Sequence, residues 1–471
     1  YIIPDMLKEI SGIDGIMYGE GEKVFNNMMH FWKKCIMDNE KYEPLAIKGI
    51  VYRTETGIKR NEPEEVMDMS DIPFVYKDMS RFENKIIYYE SSRGCPFSCS
   101  YCLSSIDKQL RFRKPGLVKE ELKFFLDNKV KQVKFVDRTF NCNKKHAMDI
   151  WRYIYENDNG ITNFHFEISA DLIDDEQIEL LRKFRPGLAQ FERGVQTTND
   201  MTIKAINRTM NLDKLKNVVK KINGGQNIHQ HLDLIAGLPY EDYNSFVKSF
   251  NDVYKMEPEQ LQLGFLKVLK GSMMSDRAEE YGIACGSNPP YEVLYTNWLS
   301  YDDVIHLKGI EEMVEVYYNS GQFSNTVKFL QHFYNEPFEL FDEMAAYYDS
   351  HNYFGVKHSR MSRYEILYDM MKESGDIPMD KLEDVMLYDL YLRENIKSRP
   401  SFYKKPLGDR SKIYELQRQH KEAGNLVHAE MFRYNPEMLA VEGDGERCDT
   451  YILFDYRERD ALNYNAERLL I

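Results

Sequence analysis

The sequence lacks any apolar run approaching the roughly 18 residues that a membrane-spanning helix needs. Cysteine is scarce, with seven in 471 residues, which does not suit a disulfide-stabilised secreted domain. Basic residues are outnumbered by acidic ones, 62 to 76, and the formal net charge is -14. Proteins that grip many phosphates usually carry a basic surface. These shortages predict a cytoplasmic protein with no membrane span and disfavour nucleic acid as a partner.

A signal peptide, an internal repeat and a low-complexity segment are also missing, and the chain begins with Tyr1 rather than Met. We therefore expect the chain to be truncated at its N-terminus, so that targeting information could lie upstream. A length of 471 residues predicts two or three domains.

What the sequence does contain is a compact cysteine motif, Cys95, Cys99 and Cys102, inside one short loop. A cubane iron-sulfur cluster normally takes four thiolates, so three leave one iron open to a small chelating molecule. A structural zinc site is the alternative, but it needs a fourth ligand, and the next Cys or His is Cys142, followed by His146. A disulfide would leave an odd thiol and require an oxidising compartment. We predict a 4Fe-4S cluster on the three cysteines.

From Lys85 onward, short apolar segments alternate with helical patterns, which is typical of a parallel sheet with crossover helices. Right-handed crossovers would curl such a sheet into a partial barrel. The six predicted strands are Ile86 to Glu90, Gln132 to Asp137, Asn163 to Ser169, Leu188 to Gln196, Ile228 to Ile235 and Leu261 to Leu269.

Polar residues lie at the ends of several of these strands: Asp137 on the second, Glu167 on the third, Gln196 on the fourth and Asp233 on the fifth. Barrel enzymes work at the C-terminal ends of their strands, where the cysteine loop also lies. The pattern predicts that these groups share one rim and bind a polar ligand there, although any single one could equally form a structural salt bridge or cap.

The cysteine motif, with Tyr101 before its third Cys, resembles the signature of the radical S-adenosylmethionine (radical SAM) enzymes. The resemblance implies that the amino and carboxylate groups of SAM fill the open iron position. It also implies that the reduced cluster cleaves SAM to a 5'-deoxyadenosyl radical, which takes hydrogen from an unactivated carbon. An electron donor such as flavodoxin or ferredoxin follows from the same resemblance.

Two further motifs, Gly194 to Thr198 and Asp233 to Pro239, are similar to those of the oxygen-independent coproporphyrinogen oxidase branch of this superfamily. By that resemblance Gln196 and Asp233 approach the ribose of SAM, while Glu167 and Arg208 hold its amino and carboxylate ends. The family's glycine-rich turn after the second strand is absent here, so Asp137 is assigned only to the neighbourhood. The predicted cofactor-binding residues are Tyr101, Asp137, Glu167, Gln196, Arg208, Asp233 and Gly237, and no catalytic residue is assigned.

Two further resemblances concern the N-terminal and C-terminal segments of the chain. The segment Asp14 to Glu22 resembles the end of a Rossmann-like cobalamin-binding domain, although no Asp-x-His-x-x-Gly cobalt-ligand motif is present. The segment from Pro289 onward resembles an uncharacterised domain of cobalamin-type radical SAM proteins. We predict a cobalamin-domain remnant at 1–40, a linker at 41–81, a radical SAM core with a partial (β/α)6 barrel at 82–275 and a mainly helical domain at 276–471.

The expected function is cobalamin-dependent methyl transfer to an unactivated carbon or to phosphorus in a small molecule or lipid, with a peptide substrate also open. The alternative is another radical outcome, such as a rearrangement or oxidative ring chemistry. An alternative from another class is a non-catalytic iron-sulfur sensor or binding protein. Such a sensor has no need for SAM-binding groups on the barrel rim.

Overall fold

The N-terminal part of the structure is a small antiparallel sheet flanked by helices. The computed structural model describes residues 3–39, 44, 47–396, 399–403, 410–419 and 426–470. Its first elements are α1 (Ile3–Glu9), β1 (Gly15–Met17), α2 (Gly21–Asp38), β2 (Ile50–Thr54) and β3 (Gly57–Arg60). The three strands form one sheet in the order β1-β2-β3, with antiparallel pairing throughout.

This sheet differs from what the sequence led us to expect. Strand β1, a turn and helix α2 follow one another, but β1 pairs with a hairpin and not with a parallel sheet. The hairpin lies within 41–81, where a linker was predicted. Its strands bury Val51 and Tyr52, and its turn is closed by the Thr54 hydroxyl, which donates to the Gly57 carbonyl at 2.9 Å. Because prolines and acidic turns flank this short apolar segment, the sequence did not indicate a strand here.

The centre of the structure is a six-stranded parallel sheet with crossover helices. Its strands are β4 (Ile87–Tyr89), β7 (Gln132–Phe135), β8 (Asn163–Glu167), β9 (Ala189–Gln196), β10 (Ile228–Ala236) and β11 (Gln260–Phe265). A two-stranded ribbon, β5 (Ser92–Arg93) and β6 (Arg111–Phe112), brackets the cysteine loop. The helices are α3 (Pro115–Asp127), α4 (Lys144–Glu156), α5 (Asp175–Leu181), α6 (Asp200–Ala205), α7 (Leu212–Asn223) and α8 (Tyr243–Tyr254). The six predicted strands are confirmed, with ends shifted by a few residues.

The two faces of this sheet differ because side chains alternate along a strand. One face is apolar and packs against the helices; Phe166 lies beside Trp151 of α4, with ring centroids 6.2 Å apart, and Phe191 lies 5.7 Å from the same ring. Fully burying such a side chain contributes about 1.5–3 kcal/mol. The other face, toward the barrel interior, is polar on several strands. This asymmetry sets which residues can reach a bound molecule.

The region after the barrel is mainly helical, as predicted, and continues the same hydrophobic core. Its helices are α9 (Met273–Asp276), α10 (Tyr301–Met313), a π-helical segment (Val314–Asn319), α11 (Ser324–Gln331), α12 (Pro337–Ser350), α13 (Arg360–Ser374), α14 (Met379–Arg393), α15 (Arg410–Gln419) and α16 (Pro436–Glu442). Its strands are the pair β12 (Ala284–Cys285) and β13 (Val293–Tyr295), and the sheet β14 (Val427–Phe432), β15 (Thr450–Arg459) and β16 (Ala466–Leu470), which was not predicted. Among the described helices, none combines the length and apolarity needed to cross a membrane.

Candidate cofactor site

The cysteine loop leaves the C-terminal end of β4 and turns back toward the rim of the barrel. Cys95 and Cys99 are 9% and 8% exposed, Cys102 is half-buried, and all seven cysteines of the chain are free thiols. Backbone hydrogen bonds shape the loop: Cys95 N–H donates to the Asp107 carbonyl and Cys102 N–H donates to the Cys99 carbonyl, both at 3.2 Å. The loop therefore holds three thiols in place without a disulfide.

Arg208 ties this loop to the barrel. Its Nη1 donates to the Tyr101 hydroxyl at 3.0 Å and lies 3.7 Å from the Cys99 sulfur, while its Nη2 donates to the Gly194 carbonyl at the end of β9. Nε has no hydrogen-bond partner among the described residues. A guanidinium keeps its charge in such a site, so Arg208 places a fixed cation beside a cysteine and retains one free donor.

The rim itself is shaped by a bulge at the end of β9. Gly194 pairs with Asp233 of β10, but the next paired residue of β9 is Gln196, so one residue is extra. A bulge re-aims the side chains around it, and Gln196 takes a positive φ of 73°. A side chain at position 194 would overlap the Gln196 amide. The glycine therefore makes room for Gln196 to lie across the strand end.

Gln196 and Asp233 both present polar atoms that the protein leaves unsatisfied. Gln196 is 9% exposed, and neither its Oε1 nor Asp233 Oδ1 accepts a hydrogen bond from any residue that the structure describes. His231 Nε2 lies 3.1 Å from Asp233 Oδ1 and forms an ion pair with it when the imidazole is protonated. Burial raises the pKa of Asp233. Unpartnered buried polar atoms are rare in folded proteins, so these acceptors suit a ligand with hydroxyl groups.

Glu167, at the end of β8, lies in register with Glu192 of β9. Burial, reinforced by the negative charge of Glu192, raises the pKa of Glu167 to about 7. A cationic group placed beside Glu167 would favour its ionised form. The position of Glu167 is compatible with a contact to the amino group of SAM. That contact remains a prediction.

Asp137 differs from Gln196 and Asp233 because its carboxylate is already hydrogen-bonded within the protein. Its side chain is completely buried and accepts hydrogen bonds from Ser91 N–H at 3.0 Å, from the Ser91 hydroxyl at 2.7 Å and from the Ser92 hydroxyl. The Ser91 hydroxyl also lies 2.9 Å from His146 Nε2. Burial raises the Asp137 pKa to about 6. Because both oxygens are already engaged, Asp137 fits a residue that positions the cysteine loop rather than one that touches a ligand.

Gly237 lies in the turn that follows β10, with a positive φ of 86°. A Cβ on this residue would come within 2.7 Å of the Val293 side chain. Close packing against β13 is thus sufficient reason for a glycine here. Contact with a cofactor remains a prediction for this residue.

Several polar residues of the barrel interior were missed by the sequence reasoning. Glu192 accepts from Lys134 Nζ at 3.0 Å and is joined to His165 Nε2 at 2.8 Å. The hydrogen bond with His165, together with Lys134, lowers the pKa of Glu192 to about 2. The sequence does show polar residues at every second position of three predicted strands. Reading these strands as having one polar and one apolar face would have identified the polar residues of the barrel interior.

The chemistry of the donors fits the predicted cluster. Among the described residues, no three or more His, Cys, Asp or Glu side chains converge to hold a single metal ion. A cubane distributes its thiolates over different irons, so its ligands need not converge on one point. Three free thiols, a fixed cation and unsatisfied acceptors on one rim can together accommodate a cluster and a polar, charged cofactor.

A partial parallel barrel with three clustered cysteines after its first strand defines the radical SAM class. Residues 89–253 match the radical SAM superfamily, which confirms that this part of the chain is a radical SAM domain. Residues 279–454 match a family described as a protein of unknown function, DUF4080.

Individual relatives cover parts of the chain. An uncharacterized methyltransferase of Pyrococcus horikoshii is 32% identical over 31% of this chain and 32% of its own length. The anaerobic magnesium-protoporphyrin IX monomethyl ester cyclase of Rubrivivax gelatinosus is 24% identical over 54% of this chain and 46% of its own length. The chain thus spans less than half the length of these two relatives.

A solved structure of the cobalamin-dependent S-adenosylmethionine radical enzyme OxsB, with aqua-cobalamin bound, has a TM-score of 0.51 and 15% sequence identity. The match covers 89% of this chain and 61% of that chain. At this identity the likeness establishes the fold. The expectation of a radical SAM protein is confirmed, and the methyltransferase-named relative supports the expectation of an enzyme.

Proposed function

We propose that this chain is part of a radical SAM enzyme that cleaves SAM reductively at a 4Fe-4S cluster held by Cys95, Cys99 and Cys102. The observation that carries the proposal is the convergence of the cysteine loop with Arg208 and with the unsatisfied acceptors of Gln196 and Asp233. A sensor that only held a cluster would have no use for those acceptors. The electron donor would be a small redox protein such as flavodoxin or ferredoxin.

The residues of the chain would position and protect the reactants. The cluster and SAM would supply the electron and the reactive fragment when bound. Arg208, held between Tyr101 and Gly194, offers its free Nε to an anionic group, and Gln196 and Asp233 accept from hydroxyl groups. Burial of Cys95 and Cys99 limits the access of water to the thiols.

We further propose that the reaction is cobalamin-dependent methyl transfer to a carbon or phosphorus atom of the substrate. The support comes from the names of relatives: a methyltransferase in one case and a cobalamin-dependent enzyme in another. Strand β1 lies in an antiparallel sheet and not in the parallel sheet expected of a Rossmann-like domain. Oxidative ring chemistry is the second candidate, favoured by the similarity to the Rubrivivax cyclase.

Iron content tests the central claim. Anaerobic reconstitution of the chain should give about four irons per chain and a broad visible absorbance, and Cys99→Ala should abolish both because one iron loses its thiolate. Cys448→Ala is the matched control, since Cys448 is exposed and far from the loop in sequence. Stoichiometric zinc without iron uptake would contradict the proposal.

A further inference from the structure

A shallow depression of about 590 Å³ lies at the surface beside the cysteine loop. It is formed by α6 and the turn after it, by the turn that follows β10 and by α9. We call its principal residues the loop-side patch: Met201, Lys204, Asn207, Tyr240, Met273 and Arg277. None of these six is among the predicted cofactor-binding residues, so the patch is a separate feature of the molecule.

Hydrogen bonds join the patch directly to the cysteine loop. Asn207 Nδ2 donates to the Ser98 carbonyl at 3.0 Å, and Ser100 N–H donates to the Ile206 carbonyl at 2.9 Å. Ser98 and Ser100 are the neighbours of Cys99 on either side. The patch is therefore the surface next to the backbone that carries the predicted cluster ligands.

The patch exposes apolar side chains that the fold leaves uncovered. Met201, Tyr240 and Met273 are 60%, 37% and 46% exposed. Aromatic residues and methionine are enriched at protein–protein interfaces, and methionine adapts to partners of different shape. Single exposed apolar residues are ordinary, but three around one depression are typical of a docking surface.

Two lysines give this surface a positive character. Lys204 is exposed, and Lys108, also exposed, donates from Nζ to the Phe97 carbonyl of the loop at 2.8 Å. Neither ammonium pairs with a carboxylate in the part of the chain that the structure describes, whereas Arg277 pairs with Glu280 at 2.7 Å. The whole chain carries a formal charge of -14. An acidic partner would be repelled by the molecule as a whole and attracted at this place.

We propose that the loop-side patch, together with Lys108, docks an acidic electron-carrier protein that reduces the cluster. This inference rests on the proposed function, because it requires a cluster on the cysteine loop. The reduced carrier loses one electron and the oxidised cluster gains it, with no bond made or broken. Electron transfer needs a short path between the two redox centres, and the contacts at Ser98 and Ser100 supply one. Electron-transfer complexes often bury small interfaces, so a patch of this size is sufficient.

The rate of cluster reduction tests the proposal. The reconstituted chain is mixed anaerobically with reduced flavodoxin, an acidic carrier, and bleaching of the cluster absorbance is followed by stopped flow. Met201→Glu/Lys204→Glu removes an exposed apolar contact and reverses one positive charge. We expect flavodoxin to reduce this variant about tenfold more slowly than the wild type, and added salt to slow the wild-type reaction. Reduced methyl viologen, a small cation that needs no docking surface, should reduce both proteins at similar rates.

The matched control is Met438→Glu/Lys328→Glu on α16 and α11 of the C-terminal region. It makes the same two substitutions at exposed positions and changes the net charge by the same amount. Flavodoxin should reduce it at the wild-type rate. If the patch variant does not fold or load iron, Lys204→Gln provides the same comparison.

Several outcomes would overturn the proposal. These are an unchanged flavodoxin rate in the patch variant, equal slowing in the control, or equal slowing with methyl viologen. Failure of both flavodoxin and an acidic ferredoxin to reduce a wild-type cluster that methyl viologen reduces would also overturn it. Sedimentation tests a different occupant: a wild-type dimer that Met201→Glu/Lys204→Glu converts to a monomer would assign the patch to a second copy of this chain.

A separate readout distinguishes this inference from the proposed function. Wild-type protein reduced by methyl viologen should convert SAM to 5'-deoxyadenosine. Failure of that conversion with a fully loaded cluster overturns the proposed function, whatever the flavodoxin rates show. Conversion of SAM together with equal flavodoxin rates in the wild type and the patch variant overturns the docking surface and leaves the proposed function standing.

Discussion

Carboxylates of the barrel perform different tasks according to what each one contacts. Asp137 is saturated by Ser91 and Ser92, whereas Asp233 has an oxygen that no described residue satisfies. Asp137 follows β7 by two residues and Asp233 lies three residues before the end of β10, and burial raises the pKa of both. The hydrogen-bond partners, and not the residue type or the position along the strand, separate the positioning group from the ligand-binding candidate.

Replacing Gln196 and Asp233 by alanine tests the ligand-binding assignment. Each lost hydrogen bond is worth about 1–3 kcal/mol, so SAM affinity should fall at least about tenfold while iron content stays unchanged. Calorimetric titration of SAM against reconstituted protein measures the first effect and iron analysis the second. Unchanged affinity in a folded double variant would show that SAM binds elsewhere.

Asp137→Asn tests the positioning assignment. An amide cannot accept all the hydrogen bonds from Ser91 and Ser92, so the cysteine loop should lose its anchor. We expect the free energy of unfolding to fall by about 1–3 kcal/mol and iron incorporation to fall with it. Denaturant unfolding and iron analysis measure these effects.

The matched control for that variant is Asp389→Asn in the C-terminal region. Asp389 is also buried, with a pKa raised to about 6, and it accepts hydrogen bonds from the backbone and side chains of Asn325 and Thr326. Its loss should destabilise the protein similarly but leave iron content normal. Equal iron content in the two variants would remove the positioning role from Asp137.

At the scale of elements, the cysteine loop depends on a close backbone approach. Gly94 has a positive φ of 96°, and a Cβ there would overlap the Gln109 carbonyl oxygen just before β6. The ribbon of β5 and β6 thus closes over the loop only because position 94 has no side chain. This constraint concerns a contact between two segments and is independent of the cysteines themselves.

Gly94→Ala should therefore separate β5 from β6 and lower iron incorporation. The positive φ alone should cost about 1–2 kcal/mol for a residue with a side chain, and the overlap adds to it. Gly116→Ala in α3 is the control, since no atom lies within 4 Å of its added Cβ and alanine favours a helix by about 0.5–1 kcal/mol. Iron content in Gly94→Ala equal to that of the control would contradict this role for the ribbon.

At the scale of the whole molecule, barrel and C-terminal region share one hydrophobic core. Asn319 of the π-helical segment accepts from the Leu261 backbone N–H and donates to the Leu261 carbonyl, both at 2.9 Å. Phe338 N–H donates to Asn251 of α8, also at 2.9 Å. The C-terminal region therefore supports the last strand and last helix of the barrel directly.

The N-terminal sheet leads to a prediction about cobalamin. A corrin needs a broad pocket, typically at the ends of several strands. The depression beside Gly19 is instead lined by Glu20 and Glu22, which pair with Arg93. Hydroxocobalamin titrated against this chain should give only weak binding by absorbance. Tight one-to-one binding would contradict this expectation and would mean that the described residues do supply a corrin site.

Local patterns were enough to identify the strands of the barrel and the cysteine loop. Alternation of apolar strands with helices is a local property, and three cysteines within eight residues must lie close together in any fold. The radical SAM domain and the partial barrel could therefore be predicted before the structure. The rim position of Gln196 and Asp233 followed from the rule that parallel strands end at one edge.

Other features depended on contacts between segments far apart in sequence. The engagement of Asp137 by Ser91 and Ser92 joins residues some 45 positions apart, and no local pattern indicates which carboxylate will be saturated. Lys134, His165 and Glu192 were visible only as scattered polar residues until three neighbouring strands brought them together. The pairing of β1 with β2 likewise joins residues more than 30 positions apart. These contacts are determined by side-chain packing and hydrogen-bond geometry in three dimensions. The sequence offers many residues of a suitable type for each contact, and only the folded chain brings one of them within reach.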